Sequence, residues 1–241
     1  MAALEYRGSD SSKARPPRDP GGPQDPFHVH LVALERRGFA VIPEFISSSE
    51  VEELRFEMDV LKASGGFHRA GVGQGTDHTI EPGVRTDSIC WIEQKNATPV
   101  QKKYINKLTD VRDRIREYFR LPLSEAEYYY AIYPPGGYYR RHYDNFAGES
   151  RRLITALLYL NHGWQISDGG ELCIFPPAKK NRALFPGWSA ESQSVRVIPE
   201  GGTLALFLSV YMPHSVARAG RERRSMGVWF GSARDPERLV R

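Results

Sequence analysis

Eight short β-rich segments follow one another in the second half of the chain, and they restrict its fold more than any other feature. Each is rich in aliphatic or aromatic residues and is bounded by Gly, Pro, Asn or Asp. Because no helical pattern separates them, we predict an antiparallel β-sandwich or barrel. The segments are 128–133, 138–143, 153–160, 171–175, 195–198, 203–208, 213–217 and 224–230.

Helices are predicted only in the first half. Residues 28–37 form one, ended by Gly38 and followed by a strand over 39–43. Ser47 with Glu50 makes a capping box, and 98–101 repeats that signal with Pro at the first helical position. We expect the apolar stripes behind both caps to pack against a sheet. They are Val51, Leu54, Met58 and Leu61, and then Tyr104, Leu108, Val111, Ile115 and Tyr118.

The remaining composition sets the domain boundaries. Residues 7–26 contain almost nothing apolar, so we predict a disordered tail over 1–26 and a single domain over 27–241, with the barrel core at about 126–232. The segment 69–87 is polar and rich in Gly, which is typical of a functional lid or a disordered excursion.

Charge, hydropathy and cysteine content bear on the partners. The net charge of +4 is compatible with nucleic acid or an acidic protein, although so small an excess more often serves solubility. No apolar run reaches membrane-spanning length, and the first residues lack the apolar core of a secretory signal. Cys90 and Cys173 give no disulfide framework, so we expect a reducing compartment, the cytoplasm with the nucleus as alternative.

A His-x-Asp pair and a distant histidine carry the metal chemistry. His142 and Asp144 are two residues apart in a predicted strand, so their side chains project to one side. His214 follows the predicted strand 203–208 at the point where a later strand begins. Two imidazoles and one carboxylate are the ligands that hold ferrous iron on one face and leave three positions open.

An arginine and a tyrosine suggest a second ligand beside the metal. An arginine that points into a barrel needs an anionic partner, and Arg223 could grip a small carboxylate with two hydrogen bonds. Arg224 is its neighbour, and strand alternation lets only one of the two face inward. We assign Arg223 from its six-residue distance to Trp229. The hydroxyl of Tyr159, on the inner face of its strand, also needs a partner.

The stretch from Tyr133 to Trp229 resembles the Fe(II)- and 2-oxoglutarate-dependent dioxygenases. Within them it is most similar to the cytosolic prolyl 4-hydroxylases of the oxygen-sensing type and to their bacterial and protist relatives. The resemblance implies a double-stranded β-helix, or jelly-roll. It rests on Tyr133-Pro-Pro-Gly-Gly-Tyr-Tyr-Arg-Arg-His-Tyr-Asp144, Leu158-Tyr-Leu-Asn161, Gly169-Gly-Glu-Leu-Cys-Ile-Phe175, Pro213-His-Ser-Val216 and Arg223-Arg-Ser-Met-Gly-Val-Trp229, and extends upstream to Val84-Arg-Thr-Asp-Ser-Ile-Cys-Trp-Ile-Glu93.

The resemblance implies a role for each matching residue. His142, Asp144 and His214 would bind Fe(II). Arg223 would pair with the distal carboxylate of 2-oxoglutarate, and Tyr159 would donate a hydrogen bond to it. The further co-substrates implied are O2 and, as reductant, ascorbate.

Five other positions match with looser roles. Tyr133 and Leu172 would line the co-substrate pocket, although the turn after Tyr133 is one residue shorter than in the oxygen sensors. Thr155 is either a pocket hydroxyl or a plain core threonine. Arg85 and Asp87 match a substrate-side pair at the mouth of the site, or form an ordinary surface ion pair. One departure is clear: a glycine stands at position 227, where the sensors carry a hydroxyl side chain near the co-substrate.

The function implied is hydroxylation of prolyl residues at C4 in an intracellular protein. We expect a monomer in which segment 69–87 and the C-terminal segment close over an extended proline-containing peptide. Two alternatives share the iron chemistry: hydroxylation of a small molecule and dealkylation of nucleic acid. Nucleic-acid dealkylases of this superfamily carry a second arginine where this chain has Trp229, which argues against them. A non-catalytic binding module would usually have lost a ligand, and here the set is complete.

Overall fold

The computed structural model describes residues 25–72, 79–145 and 152–232. Most of the predicted tail therefore lies outside the described residues. In chain order the elements are α1 His28–Arg37, β1 Phe39–Ile42, α2 Ser48–Ala63, β2 His68–Arg69, β3 Ser88–Ile92, α3 Pro99–Phe119, β4 Glu125–Tyr133, β5 Tyr139–His142, β6 Arg152–Tyr159, β7 Leu172–Ile174, β8 Val195–Val197, β9 Leu204–Leu208, β10 His214–Val216 and β11 Arg223–Gly231.

The strands form two antiparallel sheets. The larger one has seven strands in the order β1-β9-β6-β11-β4-β3-β2, and the smaller one has four in the order β5-β10-β7-β8. Side chains from both sheets line one shared cavity, so the sheets face each other. The architecture confirms the predicted jelly-roll, supported by helices from the first half of the chain.

Strand alternation divides the larger sheet into two faces with different environments. On β4, Tyr128 and Tyr130 belong to the core beneath the helices, whereas Tyr129 and Tyr133 belong to the opposite face. The three α-helices and the strands β1, β3, β6, β9 and β11 also contribute residues to that first core. The helices therefore pack on one face of the larger sheet, and residues of the opposite face line the cavity between the sheets.

The predicted helix caps are present. The Ser47 hydroxyl accepts from the backbone of Glu50, whose carboxylate accepts from the backbone of Ser47, and Thr98 and Gln101 repeat the arrangement. Gly38 ends α1 in the left-handed conformation, at φ 77°. Both stripes contact the sheet as predicted, because most of their residues are buried in the core beneath the helices.

The strand prediction was incomplete in two respects. The larger sheet extends into the first half of the chain through β1, β2 and β3, of which only β1 was predicted. Short 3-10 helices, Ile166–Asp168 and Lys179–Leu184, also separate strands that were predicted to follow without helices. One and two turns of 3-10 helix are too short to produce a helical period in sequence.

The polar segment 69–87 is partly structured. Arg69 ends β2, and an isolated antiparallel bridge joins Val72 to Thr79. Residues 73–78, within the expected lid, lie outside the described residues, as does the C-terminal segment 233–241. In the part of the chain that the structure describes, no helix combines the length and apolar character needed to cross a membrane.

Candidate metal and co-substrate site

Three predicted ligands meet where β5 ends and β10 begins in the smaller sheet. His142 is the last residue of β5, and His214 is the first residue of β10 and lies directly opposite it in register. Asp144 lies two residues beyond His142, in a bend that follows β5, so the expectation that both ligands belong to one β-segment is wrong. The two imidazoles are held by backbone pairing, and the carboxylate reaches them from the turn.

A β-bulge sets the direction of the first histidine. The register steps from His214 opposite His142 to Val216 opposite Tyr139, so β5 carries one extra residue at 140–141. As a result Tyr139 and His142, three residues apart, both line the cavity, and their rings stack at a centroid distance of 3.5 Å. Simple alternation would have put Tyr139 on the opposite face, so this contact could not be predicted from the sequence pattern.

Each histidine presents its Nε2 atom to the same point. The Nδ1 atom of His142 lies 2.7 Å from the carbonyl oxygen of Arg140, and that of His214 lies 3.1 Å from the carbonyl of Met212. Since these oxygens can only accept, Nδ1 carries the proton and Nε2 keeps a free lone pair. The Nε2 atoms lie 3.5 and 3.6 Å from the carboxylate oxygens of Asp144.

The three side chains have the geometry of a metal centre. One ligand atom from each of His142, Asp144 and His214 lies within 4.8 Å of the others. Burial lowers the pKa of His214 to about 4, so its imidazole stays neutral and able to coordinate. Burial opposes ionisation of Asp144, yet the two histidines and Thr155 hold its pKa well below the ordinary value. Neutral nitrogens with one anionic oxygen suit Fe(II).

A buried hydroxyl pair orients the carboxylate. Thr155 on β6 donates to Oδ2 of Asp144 at 2.6 Å, and its oxygen lies 2.7 Å from that of Ser209. Thr155 lines the cavity, and its hydroxyl contacts a candidate ligand. From the sequence, Thr155 could have been either a pocket hydroxyl or a threonine that only packs in the core. Its contact with Ser209 was not predicted.

The far end of the cavity contains unsatisfied donors. Arg223 is 1% exposed, its Nε donates to the carbonyl of Gly170 at 2.8 Å, and its Nη2 has no partner among the described residues. The buried hydroxyl of Tyr159 also has none there. The Arg223 Cζ lies 5.0 and 5.1 Å from the ring centroids of Tyr159 and Tyr133. A buried guanidinium without a carboxylate beside it is a costly arrangement unless an anion binds.

These donors fit a carboxylate. Burial raises the pKa of Tyr159 to about 12, so its hydroxyl stays protonated and can donate. Arg223 supplies the positive charge, and together the two groups match the terminal carboxylate of a small diacid. Tyr159 does not itself line the cavity; its ring lies beside the Arg223 guanidinium and is buried among apolar residues.

The neighbouring arginine faces the opposite side. Arg224 lies 2.7 Å from a carboxylate oxygen of Asp59 on α2 and 2.7 Å from one of Glu222. Strand alternation therefore separates the two arginines as predicted, with Arg223 inside the barrel.

The remaining predicted residues also border the cavity. Tyr133 and Leu172 both line it. Tyr133 on β4 pairs directly with Arg223 on β11, and Leu172 lies on β7 of the smaller sheet, which faces them. Arg85 binds Asp87 through two hydrogen bonds of 2.8 and 2.6 Å, and the side chains are only 10% and 0% exposed. The reading as an ordinary surface ion pair is wrong, because the pair is buried against the cavity; its role toward a substrate stays a prediction.

An aromatic cluster at the end of the cavity away from Arg223 was not predicted. Tyr129 and Trp229 stack at a centroid distance of 4.3 Å and both line the cavity, while half-exposed Trp91 packs against both of them. The buried Nε1 of Trp229 has no partner in the described part of the chain. Only Trp229 had been singled out, as a marker of spacing.

Comparison with known proteins agrees with this geometry. Residues 128–231 match the family described as the 2OG-Fe(II) oxygenase superfamily. A prolyl-4-hydroxylase from Pseudomonas putida is 32% identical, with a TM-score of 0.72 over 86% of this chain and 100% of that one. A prolyl hydroxylase from Trichoplax adhaerens, solved with a peptide fragment of the hypoxia inducible factor oxygen degradation domain, is 26% identical, with a TM-score of 0.70 over 89% and 92%.

Enzymes that catalyse other reactions share this fold. A non-haem alpha-ketoglutarate-dependent carbocyclase of nogalamycin biosynthesis is 14% identical, with a TM-score of 0.62 over 85% of this chain and 83% of that one. At this identity the likeness concerns the fold alone. The choice of substrate must therefore be argued separately from the architecture.

Proposed function

The chain belongs to the 2OG-Fe(II) oxygenase superfamily, as a 2-oxoglutarate-dependent dioxygenase of the prolyl 4-hydroxylase type, and we propose that it hydroxylates prolyl residues at C4 in a protein substrate. The observation that carries the proposal is the similarity to the Pseudomonas putida prolyl-4-hydroxylase, which spans the whole of that chain. The carbocyclase shares the fold at much lower identity, so fold likeness alone would not favour proline.

Within this proposal the three convergent side chains hold the iron. His142 and His214 would coordinate through Nε2 and Asp144 through a carboxylate oxygen. The bound Fe(II) and 2-oxoglutarate supply the oxidative chemistry, in which O2 is consumed, succinate and CO2 are formed, and a C–H bond of the substrate becomes C–OH.

The protein's own groups position the co-substrate and keep the site dry. Arg223 would pair with the distal carboxylate of 2-oxoglutarate and Tyr159 would donate to it. Tyr133 and Leu172 would form the apolar walls around its carbon chain. Burial strengthens each of these contacts, because an ion pair shielded from water is screened less.

A peptide substrate would enter from the side of the aromatic cluster. The Arg85–Asp87 pair lines the cavity, and half-exposed Trp91 packs against the cavity residues Tyr129 and Trp229, which supports a wall for an extended chain. The neighbour solved with a peptide has the same fold at 26% identity, and this favours a peptide here as well.

The biological setting is part of the proposal. Two free buried cysteines support an intracellular setting, in the cytoplasm or nucleus. The resemblance to oxygen-sensing hydroxylases supports a sensing role, ascorbate as reductant and a monomeric enzyme. Sensing requires a KM for O2 above the ambient range, which steady-state measurement of succinate formation at graded O2 would test.

Mass spectrometry tests the choice of proline. The purified protein, Fe(II), 2-oxoglutarate and ascorbate are incubated with a library of proline-containing peptides, and fragment spectra locate any added oxygen. The proposal predicts oxygen on proline C4, and no product with His214→Ala. If succinate forms efficiently but the added oxygen is found only on side chains other than proline, proline is not the substrate residue and the proposal is wrong.

A trapping experiment would identify the target. The protein is loaded with Mn(II), which binds the same ligand types without supporting turnover, and is then incubated with 2-oxoglutarate and cell extract. Proteins retained by the wild type but not by Arg85→Ala are the candidates. Each is then tested as a substrate in the mass-spectrometric assay, and a set without hydroxylated proline contradicts the proposal.

A further inference from the structure

Gly227 leaves room for the ring of Tyr129 inside the cavity. The two residues are direct partners in register between β11 and β4. A Cβ atom at position 227 would lie 2.3 Å from Cζ and 2.5 Å from Oη of Tyr129, closer than atoms can approach. The three atoms nearest to that Cβ all belong to the side chain of Tyr129, so this tyrosine is the closest obstacle to a side chain at position 227.

The tyrosine hydroxyl lies free in the cavity. Tyr129 is buried and lines the cavity, and no residue in the described ranges forms a hydrogen bond with its hydroxyl. Burial, and next the charge of Asp144, raise the pKa of Tyr129 well above its ordinary value, so the group stays protonated. A buried O–H donor that faces a cavity without an acceptor is typical of a ligand contact.

Register places this hydroxyl close to the metal ligands. Thr155, which donates to Asp144, pairs with Trp229, and Trp229 is two residues from Gly227 on β11. Tyr129, opposite Gly227, thus lies beside the metal end of the cavity.

The distance along β11 between Gly227 and Arg223 shows how far the metal end of the cavity lies from the arginine. Gly227 is four residues from Arg223, which corresponds to about 13 Å along β11. The Cζ atom of Arg223 lies 5.0 Å from the ring centroid of Tyr159, which pairs with Ser225, two residues nearer to Gly227, so a five-carbon diacid can cover much of the remaining distance. A co-substrate held by Arg223 at one carboxylate would therefore bring its 2-oxo acid end to the level of Tyr129.

We infer that Tyr129 is a positioning residue whose hydroxyl donates to 2-oxoglutarate at its metal-binding end. It would replace, from the neighbouring strand, the hydroxyl that the resembling oxygen sensors carry at the position of Gly227. The glycine and the tyrosine then act as one unit, because only a residue without Cβ lets the ring reach the site. The inference rests on the proposed co-substrate site.

Co-substrate binding without turnover tests this. Mn(II)-loaded protein is titrated calorimetrically with 2-oxoglutarate in the absence of O2. Tyr129→Phe removes one hydrogen bond to an anionic ligand and should weaken binding about tenfold. Tyr128→Phe is the matched control: its hydroxyl lies 3.3 Å from that of Thr109 on α3, outside the cavity, and the affinity should stay unchanged.

Moving the hydroxyl from position 129 to position 227 distinguishes the effect of losing the hydroxyl from the effect of changing the shape of the cavity. Tyr129→Leu should bind as weakly as Tyr129→Phe or more weakly. The double variant Tyr129→Leu/Gly227→Thr clears the ring and restores a hydroxyl from β11, so it should recover to within about threefold of wild type. Circular dichroism confirms that each variant is folded before its affinity is compared.

The outcomes distinguish this inference from the proposal beneath it. A wild-type protein that binds no 2-oxoglutarate overturns the proposed function itself. Wild-type binding with Tyr129→Phe equally tight overturns only the role of Tyr129. Weak binding by Tyr129→Phe together with a folded double variant that fails to recover also contradicts the inference, because the hydroxyl at position 227 would then not substitute.

Discussion

Thr155 donates a hydrogen bond of 2.6 Å to Asp144 and so connects the central strand β6 to a ligand that lies in a bend. Asp144 follows the end of β5 and has no strand pairing of its own. Its orientation therefore depends on this contact more than on the backbone. A hydroxyl that supports a metal ligand in this way is expected to affect metal affinity.

Thr155→Val keeps the shape of the side chain and removes the hydroxyl. We expect metal affinity to fall by about 10- to 100-fold, because the carboxylate loses its orienting donor. Mn(II) titration of the metal-free protein measures this. Thr109→Val on α3, whose hydroxyl contacts only Tyr128 in the described structure, is the matched control and should bind Mn(II) like the wild type. Equal affinity of both variants would show that Asp144 does not need Thr155.

Arg223→Ala should weaken 2-oxoglutarate binding by about 100-fold, since a bidentate charged contact is lost. The dissociation constant of the Mn(II)-loaded protein is the measurement. Arg224→Ala removes the adjacent guanidinium, which contacts Asp59 and Glu222 on the opposite face of the sheet, and should leave that constant unchanged. A larger effect from Arg224→Ala would mean that the two arginines have been assigned to the wrong faces.

Asp87→Asn should destabilise the fold by about 3–5 kcal/mol, because it leaves the buried Arg85 guanidinium without its counterion. Chemical denaturation measures the change in the free energy of unfolding. Glu127→Gln breaks the contact of an exposed glutamate with Arg152 at 2.6 Å and should cost about 0–1 kcal/mol. Similar losses in the two variants would contradict the burial of the Arg85–Asp87 pair.

Glu50 makes stability depend on pH at the start of α2. The backbone N–H of Ser47, and then Lys107, lower the pKa of Glu50 from 4.5 to about 2, although burial opposes this. A carboxyl whose pKa is lowered on folding contributes stability above pH 4.5, and this contribution is lost as the pH falls toward 2. Glu50→Gln should therefore be about 1 kcal/mol less stable at neutral pH and converge with the wild type near pH 2. The free energy of unfolding of both proteins is measured by denaturation across this pH range. A difference between them that stays constant from pH 7 to pH 2 would contradict the lowered pKa of Glu50.

Much of the fold could be predicted because its signals are local. The capping boxes at Ser47 and Thr98 and the glycine after α1 act within one helical turn, so the sequence contains them completely. The alternation that places Arg223 inside and Arg224 outside is equally local. The metal ligands were recognised because their residue types and order match a known family.

The contacts that the sequence did not reveal all depend on register. The bulge in β5 that turns Tyr139 inward exists only relative to β10. The Gly227–Tyr129 pair requires knowing that β11 and β4 are neighbours, and the Thr155–Ser209 contact requires β6 to lie beside the segment that follows β9. The strand β3 was not predicted, although Ser88–Ile92 lies within a segment that resembles the family, because its burial comes from pairing with β4.

His142, Asp144 and His214 would together bind one ferrous ion, which would in turn bind 2-oxoglutarate. Anaerobic addition of Fe(II) and then 2-oxoglutarate to the metal-free protein reports this binding through the charge-transfer absorption of the iron–2-oxo acid complex. We expect the wild type and His28→Ala, a change of an exposed histidine on α1, to develop the band at one equivalent of iron, whereas folded His214→Ala should not. A band of wild-type intensity in His214→Ala, or no band in the wild type, would show that these three side chains do not form the iron site.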